Sequence, residues 1–316
     1  MTTDEERIIS ELYQIKDRLA TYATYDELLP DLNKLLKCVP ITMDGFANRS
    51  NEFHQGTDAN YIYRAMPIGP GEERYDTEER ISYLPECLAH RSRLNRANRD
   101  GDRVFYGSLG PLSAMIETYA SGEHFQKVID GKAHECVIGC WKVMEPISFA
   151  MLPFAEKTVL EFIRNGRFVR EPDNVLTEKR VLDQADHIRS MLKDEFKLKV
   201  LEFFSEAFAL ADNAQYMLST YYAERIFNRI DGFSTCMDMV EGKPDVPVEG
   251  ILYHAVPSSY EVRNVVLPIA TVSKLKLVSA SHWRTWLNKA DPKPEFHPIK
   301  RYAPVRDGRI IWNSKV

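Results

Sequence analysis

In the stretch VFYGSLGPLSAMIET, residues 104–118, an apolar run carries Tyr106 and then, 11 residues further on, the carboxylate of Glu117. A strand leading into a helix buries most such side chains, and a carboxylate in that setting needs a partner or a chemical task. Two other segments hold polar residues of catalytic type. The tetrapeptide SRLN places Arg93 two residues before Asn95, and VPSSYEVRNVVLP sets Ser258 on a turn after the strand-like GILYHAV, with Asn264 beyond it. Arg64 lies in a further strand-like segment, NYIYRAM. Arginine holds phosphate oxygens through a planar fork, and a fixed carboxylate stabilises positive charge developing on a substrate.

The familiar local signatures of other chemistries are missing. There is no G-x-G-x-x-G after a strand, no phosphate-binding P-loop, no H-E-x-x-H and no G-x-S-x-G, and the eight histidines are scattered. Cysteines stand at 38, 87, 136, 140 and 236, an odd count with irregular spacing. Cys136 and Cys140 form a C-x3-C pair that no second pair completes, so free thiols in a reducing cytoplasm are expected, with no metal. The net charge of -5 comes from mixed signs without a basic run, so direct nucleic-acid binding is not expected. A local arginine cluster still admits an anionic substrate. The acidic start MTTDEERIIS does not read as a secretory signal. The most apolar window, VIGCWKVMEPISFAMLPFA, is interrupted by Lys142, Glu145 and two prolines, which argues against a membrane span.

These residues need elements to position them. Residues 4–38 read as two helices, with capping-box spacing at Thr3/Glu6 and Thr24/Glu27 and an apolar face of Ile8, Leu12, Ile15 and Leu19. NYIYRAM (60–66) reads as a strand, and PIGPGEERYDTEER as a solvated loop or lid. DRVFYGS (102–108) reads as a strand and GPLSAMIETYAS (110–121) as a helix opened by Gly110 and Pro111. HECVIGCWKVMEPISFAML supplies one or two strands. From 154 to 230 the pattern is helical, with Val181, Ala185, Ile188 and Leu192 on one face. Strands return in GILYHAV, NVVLPIA, KLKLVSA and RIIWN. The expected class is α+β.

In order and spacing, SRLN, the Tyr106-to-Glu117 step, VPS, Asn264 in RNVVLP and Arg64 in IYRA resemble the RES domain, a family named for its arginine, glutamate and serine. SRLN departs from the family's glycine-arginine-aromatic-asparagine, VPS stands for its YPS, and RANRDGD adds residues before the strand. The resemblance implies an ADP-ribosyltransferase-like mixed β core. It divides the chain into an N-terminal helical segment, 1–58, and a RES-like domain, 59–316, interrupted by a mostly helical insertion at about 154–245. It implies an enzyme that consumes NAD as substrate, with inorganic phosphate as a possible co-substrate and no separate cofactor. In that scheme Arg93, Tyr106, Glu117 and Ser258 are catalytic, and Arg64, Asn95 and Asn264 bind substrate. Many members are toxins paired with an Xre-type helix-turn-helix antitoxin, and a homodimer is a further possibility. Phosphorolysis, hydrolysis, ADP-ribose transfer to a protein or nucleic-acid acceptor, and a catalytically inactive nucleotide- or partner-binding domain remain open at this level.

Overall fold

The structure is a computed structural model that describes residues 1–36, 39, 48–49, 61–69, 71–119, 134–153, 160, 182–183, 186, 190, 194–209, 213–227, 248–254, 263–287 and 294–312. It is an α+β protein whose chain divides into two compact units. The first comprises Met1–Arg49, Cys87–Val104 and Ile147–His254; the second comprises Ser50–Glu86, Phe105–Pro146 and Ala255–Val316.

In the first unit, helix α1 (Thr3–Asp17) begins with a capping box. The capping residue is Thr2 rather than the expected Thr3: Glu5 N donates to Thr2 Oγ1 at 3.3 Å, and Thr2 N donates to Glu5 Oε2 at 2.6 Å. Helix α2 (Tyr25–Leu36) follows, with Glu27 N donating to Thr24 Oγ1 at 3.4 Å as the spacing predicts. The α1 face closes over Leu12 and Ile15, both buried. Strands β1 (Asn48–Arg49), β5 (Ser148–Met151) and β6 (Gly250–His254) form this unit's strand set, β1 antiparallel and β6 parallel to β5.

Helices α5 (Glu195–Ala209) and α6 (Asn213–Ile226) lie at its centre. Both are buried on nearly every side, and they bury polar residues with the apolar ones: Ser205 and Glu206 on α5, and Ser219, Thr220, Glu224 and Arg225 on α6. Phe204 packs on Tyr222 at 5.1 Å between ring centroids, and Phe208 packs on Tyr253 of β6 at 4.9 Å. The expected face of Val181, Ala185, Ile188 and Leu192 lies outside the described residues.

This interior holds charge. Glu224, 2% exposed, accepts from Tyr25 Oη at 2.7 Å and from Arg99 Nη2 at 2.7 Å, and Arg99 Nε reaches its other oxygen. Burial, reinforced by the carboxylate, pushes the Tyr25 phenol well above its ordinary range, so it is a donor at any working pH. Glu206 is held in the same way by Lys16 Nζ at 2.5 Å.

The second unit is a sheet with strand order β7-β3-β2-β4-β8-β9-β10: β2 (Tyr61–Pro67), β3 (Val104–Ser108), β4 (His134–Val143), β7 (Arg263–Pro268), β8 (Leu275–Leu287), β9 (Pro294–Arg306) and β10 (Arg309–Ile310). Helix α4 (Pro111–Tyr119) lies over one face, where Ala114 and Met115 pack on Ala65, Cys136 and Ile138, with Tyr63 beside them. On the opposite face Phe105 meets Trp141 edge-on at 5.4 Å. The short helices α3 (Glu78–Ile81) and α7 (Ile269–Val272) complete the unit.

Two departures from the sequence reading stand out. β9 runs through three prolines, a composition not read as a strand; they are tolerated because β10 pairs with β9 only at Val305 and Arg306, leaving most of that edge without a ladder partner. The loop after β2, open above to a lid reading, is tied down: Tyr75 is 8% exposed, donates to Pro67 O at 2.6 Å, and its own carbonyl accepts from Trp312 Nε1 at 2.8 Å. Among the described residues no helix is long and apolar enough to cross a membrane.

The charged interior of the first unit makes a stability prediction. Arg99→Ala leaves Glu224 with the Tyr25 phenol and is expected to lower the unfolding free energy by about 2–4 kcal/mol, somewhat below the usual cost because the arginine is partly exposed. Tyr25→Phe is expected to cost about 1–2 kcal/mol. Arg18→Ala, which removes an exposed pair with Asp31, serves as the control and should cost under about 1 kcal/mol. Urea unfolding of the three variants measures this, and equal losses for Arg99→Ala and Arg18→Ala would refute the assignment.

Candidate functional site

The second unit brings two residues from the sequence reading into direct contact. Asn264 on β7 donates from Nδ2 to Glu117 Oε1 on α4 at 2.7 Å, joining positions 147 apart in the chain. The local geometry that allows it starts at the turn before α4. Leu109 N donates to Arg263 O at 2.9 Å and Ser108 Oγ to the same carbonyl at 3.4 Å, so the end of β3 is stitched to the start of β7. Pro111 then opens α4 at the one helical position where a missing N–H costs nothing. Ala114 and Met115 turn down onto the sheet. Glu117 emerges half-buried on the flank of the helix, and Thr118 lies against His134 Nε2 at 3.5 Å.

Asn264 is 2% exposed, and Val265, Val266 and Leu267, which follow it, are fully buried. Among the described residues its buried Oδ1 has no hydrogen-bond partner. Leaving a buried acceptor unmade costs about 1–3 kcal/mol, whereas a hydrogen bond to a charged group returns about 1.5–3 kcal/mol. The bond made by Nδ2 thus offsets the cost of the unmatched Oδ1.

Strand alternation places Tyr106 on the α4 side. Its neighbours Phe105 and Gly107 face the other way: a Cβ on Gly107 would stand 2.5 Å from Ile62 Cγ2 and 3.0 Å from the Phe105 ring. Tyr106 and Glu117 thus lie on one side of the sheet, with Tyr106 half-buried.

Arg64 sits between Tyr63 and Ala65, which pack under α4, so its side chain leaves β2 on the opposite face. There its guanidinium stands over the Phe105 ring at 5.2 Å, and Nη1 donates to the Tyr106 carbonyl at 2.6 Å. β2 pairs with β3 only where Tyr63 meets Ser108, whereas it pairs with β4 at seven positions. Arg64 supplies the Tyr106 carbonyl with a donor where the ladder has stopped. Burial pulls its guanidinium down to about 10, still protonated at neutral pH, and its Nε is buried without a partner.

Arg93 and Asn95 belong to the first unit and are exposed there. Arg93 Nη1 donates to His90 O at 3.3 Å, and Asn95 Oδ1 accepts from Arg96 N at 2.8 Å. The same arginine-x-asparagine spacing recurs three residues later at Arg96 and Asn98, which the sequence reading passed over, and these two are buried. Arg96 Nη1 donates to the Phe208 carbonyl, and Asn98 Nδ2 reaches Ser92 Oγ at 3.1 Å and the carbonyls of Arg93 and Arg99 at 2.9 Å. Asn98 is the hub of that loop. Ser258 lies outside the described residues.

Cys136 and Cys140 are free thiols, and burial pushes the Cys136 thiol up to about 12. Among the described residues no three histidine, cysteine or acidic side chains gather as a metal site.

The site therefore consists of a half-buried carboxylate fixed by a neutral amide, with a tyrosine on the same side of the sheet. Such a carboxylate can stabilise a developing cation or accept a proton, and the tyrosine ring can stack on a planar cation. Comparison of the chain with protein-family models, with curated proteins and with solved structures gives no match.

Gly107 tests how closely the site depends on strand packing. Gly107→Ala puts a methyl into the Ile62 branch, which has no room to rotate away, and is expected to cost about 1–3 kcal/mol. Chemical denaturation measures it; unchanged stability would show that β3 can shift freely beneath Tyr106.

Proposed function

We propose that this chain degrades NAD by breaking the bond between nicotinamide and ribose. The observation that carries the reading is the Glu117–Asn264 hydrogen bond, which fixes a carboxylate on the sheet face that also bears Tyr106. The RES resemblance supplies the substrate, and an antiparallel core crossed by one helix accords with the ADP-ribosyltransferase-like fold it implies.

The chemistry suits these residue types. As the C1''–N bond breaks, its electron pair moves to the pyridinium nitrogen and neutralises it, while the ribose gains oxocarbenium character. Glu117, ionised, stabilises that positive charge from a fixed position. Tyr106 stacks on the nicotinamide before it leaves as a neutral base. Attack by inorganic phosphate gives ADP-ribose 1''-phosphate, and attack by water gives ADP-ribose and a proton. Depletion of NAD is a toxic outcome for a cell, in keeping with the toxin role and the helix-turn-helix antitoxin that the resemblance implies.

Purified full-length chain incubated with NAD, with and without phosphate, is expected to release nicotinamide in at least one condition. Glu117→Gln is expected to lower kcat by about 10²–10³-fold while leaving the circular dichroism spectrum unchanged. Release of no nicotinamide in either condition would falsify the reading. Label from NAD appearing on a macromolecule in cell extract would instead identify a transferase. Growth arrest on expression, relieved by Glu117→Gln, is the expected cellular counterpart.

A further inference from the structure

We infer that Asn264 is the positioning residue of this site: it fixes the orientation of the Glu117 carboxylate and keeps it ionised. The inference deepens the proposed function and rests on Glu117 being the working carboxylate. The RES comparison assigns Asn264 to the substrate; the geometry points to Glu117 instead.

Three observations converge. Asn264 spends its one described side-chain hydrogen bond on Glu117 Oε1, at 2.7 Å. The other end of the same amide is buried and unmatched, so the side chain is oriented by the carboxylate and not by a balanced network. The residue before it, Arg263, is bonded through its carbonyl to Leu109 N, two residues ahead of α4, so donor and acceptor are carried on segments tied together at one end. A hydrogen bond donated to a carboxylate favours the ionised form. Because the donor is an amide, it does so without adding a counter-charge that would compete with a cationic transition state.

The identity of the residue also matters. Aspartate has the same shape, yet would set two carboxylates against each other, and one of them would take up a proton. Leucine would suit the fully buried Val265 and Leu267 better, yet offers no donor. By strand alternation the titratable groups on the α4 side of the elements around the pair are Tyr61 and Tyr63 on β2, Tyr106 on β3, and His134, Cys136 and Cys140 on β4, and Arg263 precedes Asn264 on β7. The ordinary ranges of His134 and, at its upper end, of the two cysteines overlap the assay, and all three are present in every variant below.

The experiment uses the full chain carrying Asn264→Leu, Asn264→Asp, Glu117→Gln, or Asn264→Asp with Glu117→Gln. Nicotinamide release from NAD is followed from pH 5 to 9, and melting temperature over the same range. Asn264→Leu is expected to lower kcat by about 10²-fold with KM changed by less than about threefold. Asn264→Asp is expected to move the acid limb of the kcat profile upward by about 1–2 pH units.

The melting curves report on the pair without any reference to NAD. In Asn264→Asp the shared carboxyl pKa is raised in the folded state, so its contribution is present at low pH and lost as pH rises. The melting temperature should therefore fall relative to wild type between pH 5 and 8. Adding Glu117→Gln restores an amide–carboxylate hydrogen bond and should remove that fall, while Glu117→Gln alone corrects for His134. An unshifted acid limb together with full kcat in Asn264→Leu overturns the inference. If wild type releases no nicotinamide, the enzymatic reading fails separately. The melting exchange then decides the coupling: the double variant cancelling the pH-dependent fall upholds it, and no fall in Asn264→Asp overturns it.

Discussion

One hydrogen bond, from Asn264 to Glu117, dictates how α4 must lie on its sheet. The helix has to place Ala114 and Met115 against Ala65 and Ile138 and still deliver a carboxylate to β7. Helical geometry permits both, because a residue three positions after Ala114 comes round about 60° short of a full turn, on the flank and not on the underside. Fixing the start of the helix makes that rotation reproducible. The Ser108 and Leu109 bonds to the Arg263 carbonyl anchor the turn before α4 to the strand that carries Asn264, so the helix cannot roll without breaking them.

Carboxylates in the chain are held by donors of different kinds. Glu224 and Glu206 in the first unit receive cations, Arg99 and Lys16, together with tyrosine hydroxyls from α1 and α2. Those pairs tie the N-terminal helices to α5 and α6, and opposing charge is the economical way to hold an ionised group inside. Asn264 gives Glu117 a donor with no charge of its own. A neutral donor orients a carboxylate without itself adding a counter-charge.

Much of the element pattern was legible in the sequence, and the failures have physical causes. α1, α2, β2, β3, α4 and β4 follow their apolar spacing closely. The N-cap slipped by one residue because MTTDEE offers two threonines, each with a glutamate three positions on, and only the backbone chooses between them. β9 was hidden by its prolines, although the Asp307–Gly308 turn that joins it to β10, with φ of 50° and 71°, is a hairpin signal in plain view. The arginine-x-asparagine pattern was ambiguous for a similar reason: it occurs at Arg93 and again at Arg96, and burial, which separates them, has no local signature. That Asn264 serves Glu117 could not be read at all, since the pair is separated by 147 positions and neither flank encodes the other.

Arg64 holds the backbone of the candidate site from the opposite face of the sheet. β2 and β3 part company after Tyr63 and Ser108, which strips the Tyr106 carbonyl of its sheet donor. A carbonyl left in that state costs free energy wherever water does not replace the lost donor. Arginine reaches across the gap, donates through Nη1 and lays its plane over Phe105, a combination of fork and flat face that lysine lacks. Burial there works against the charge and draws the guanidinium pKa down. The Arg64 side chain thus bridges the gap between the strands and holds the backbone of Tyr106 there. The arginine and the asparagine thus hold the two candidate groups in different ways, Arg64 through the backbone carbonyl of Tyr106 and Asn264 through the side chain of Glu117.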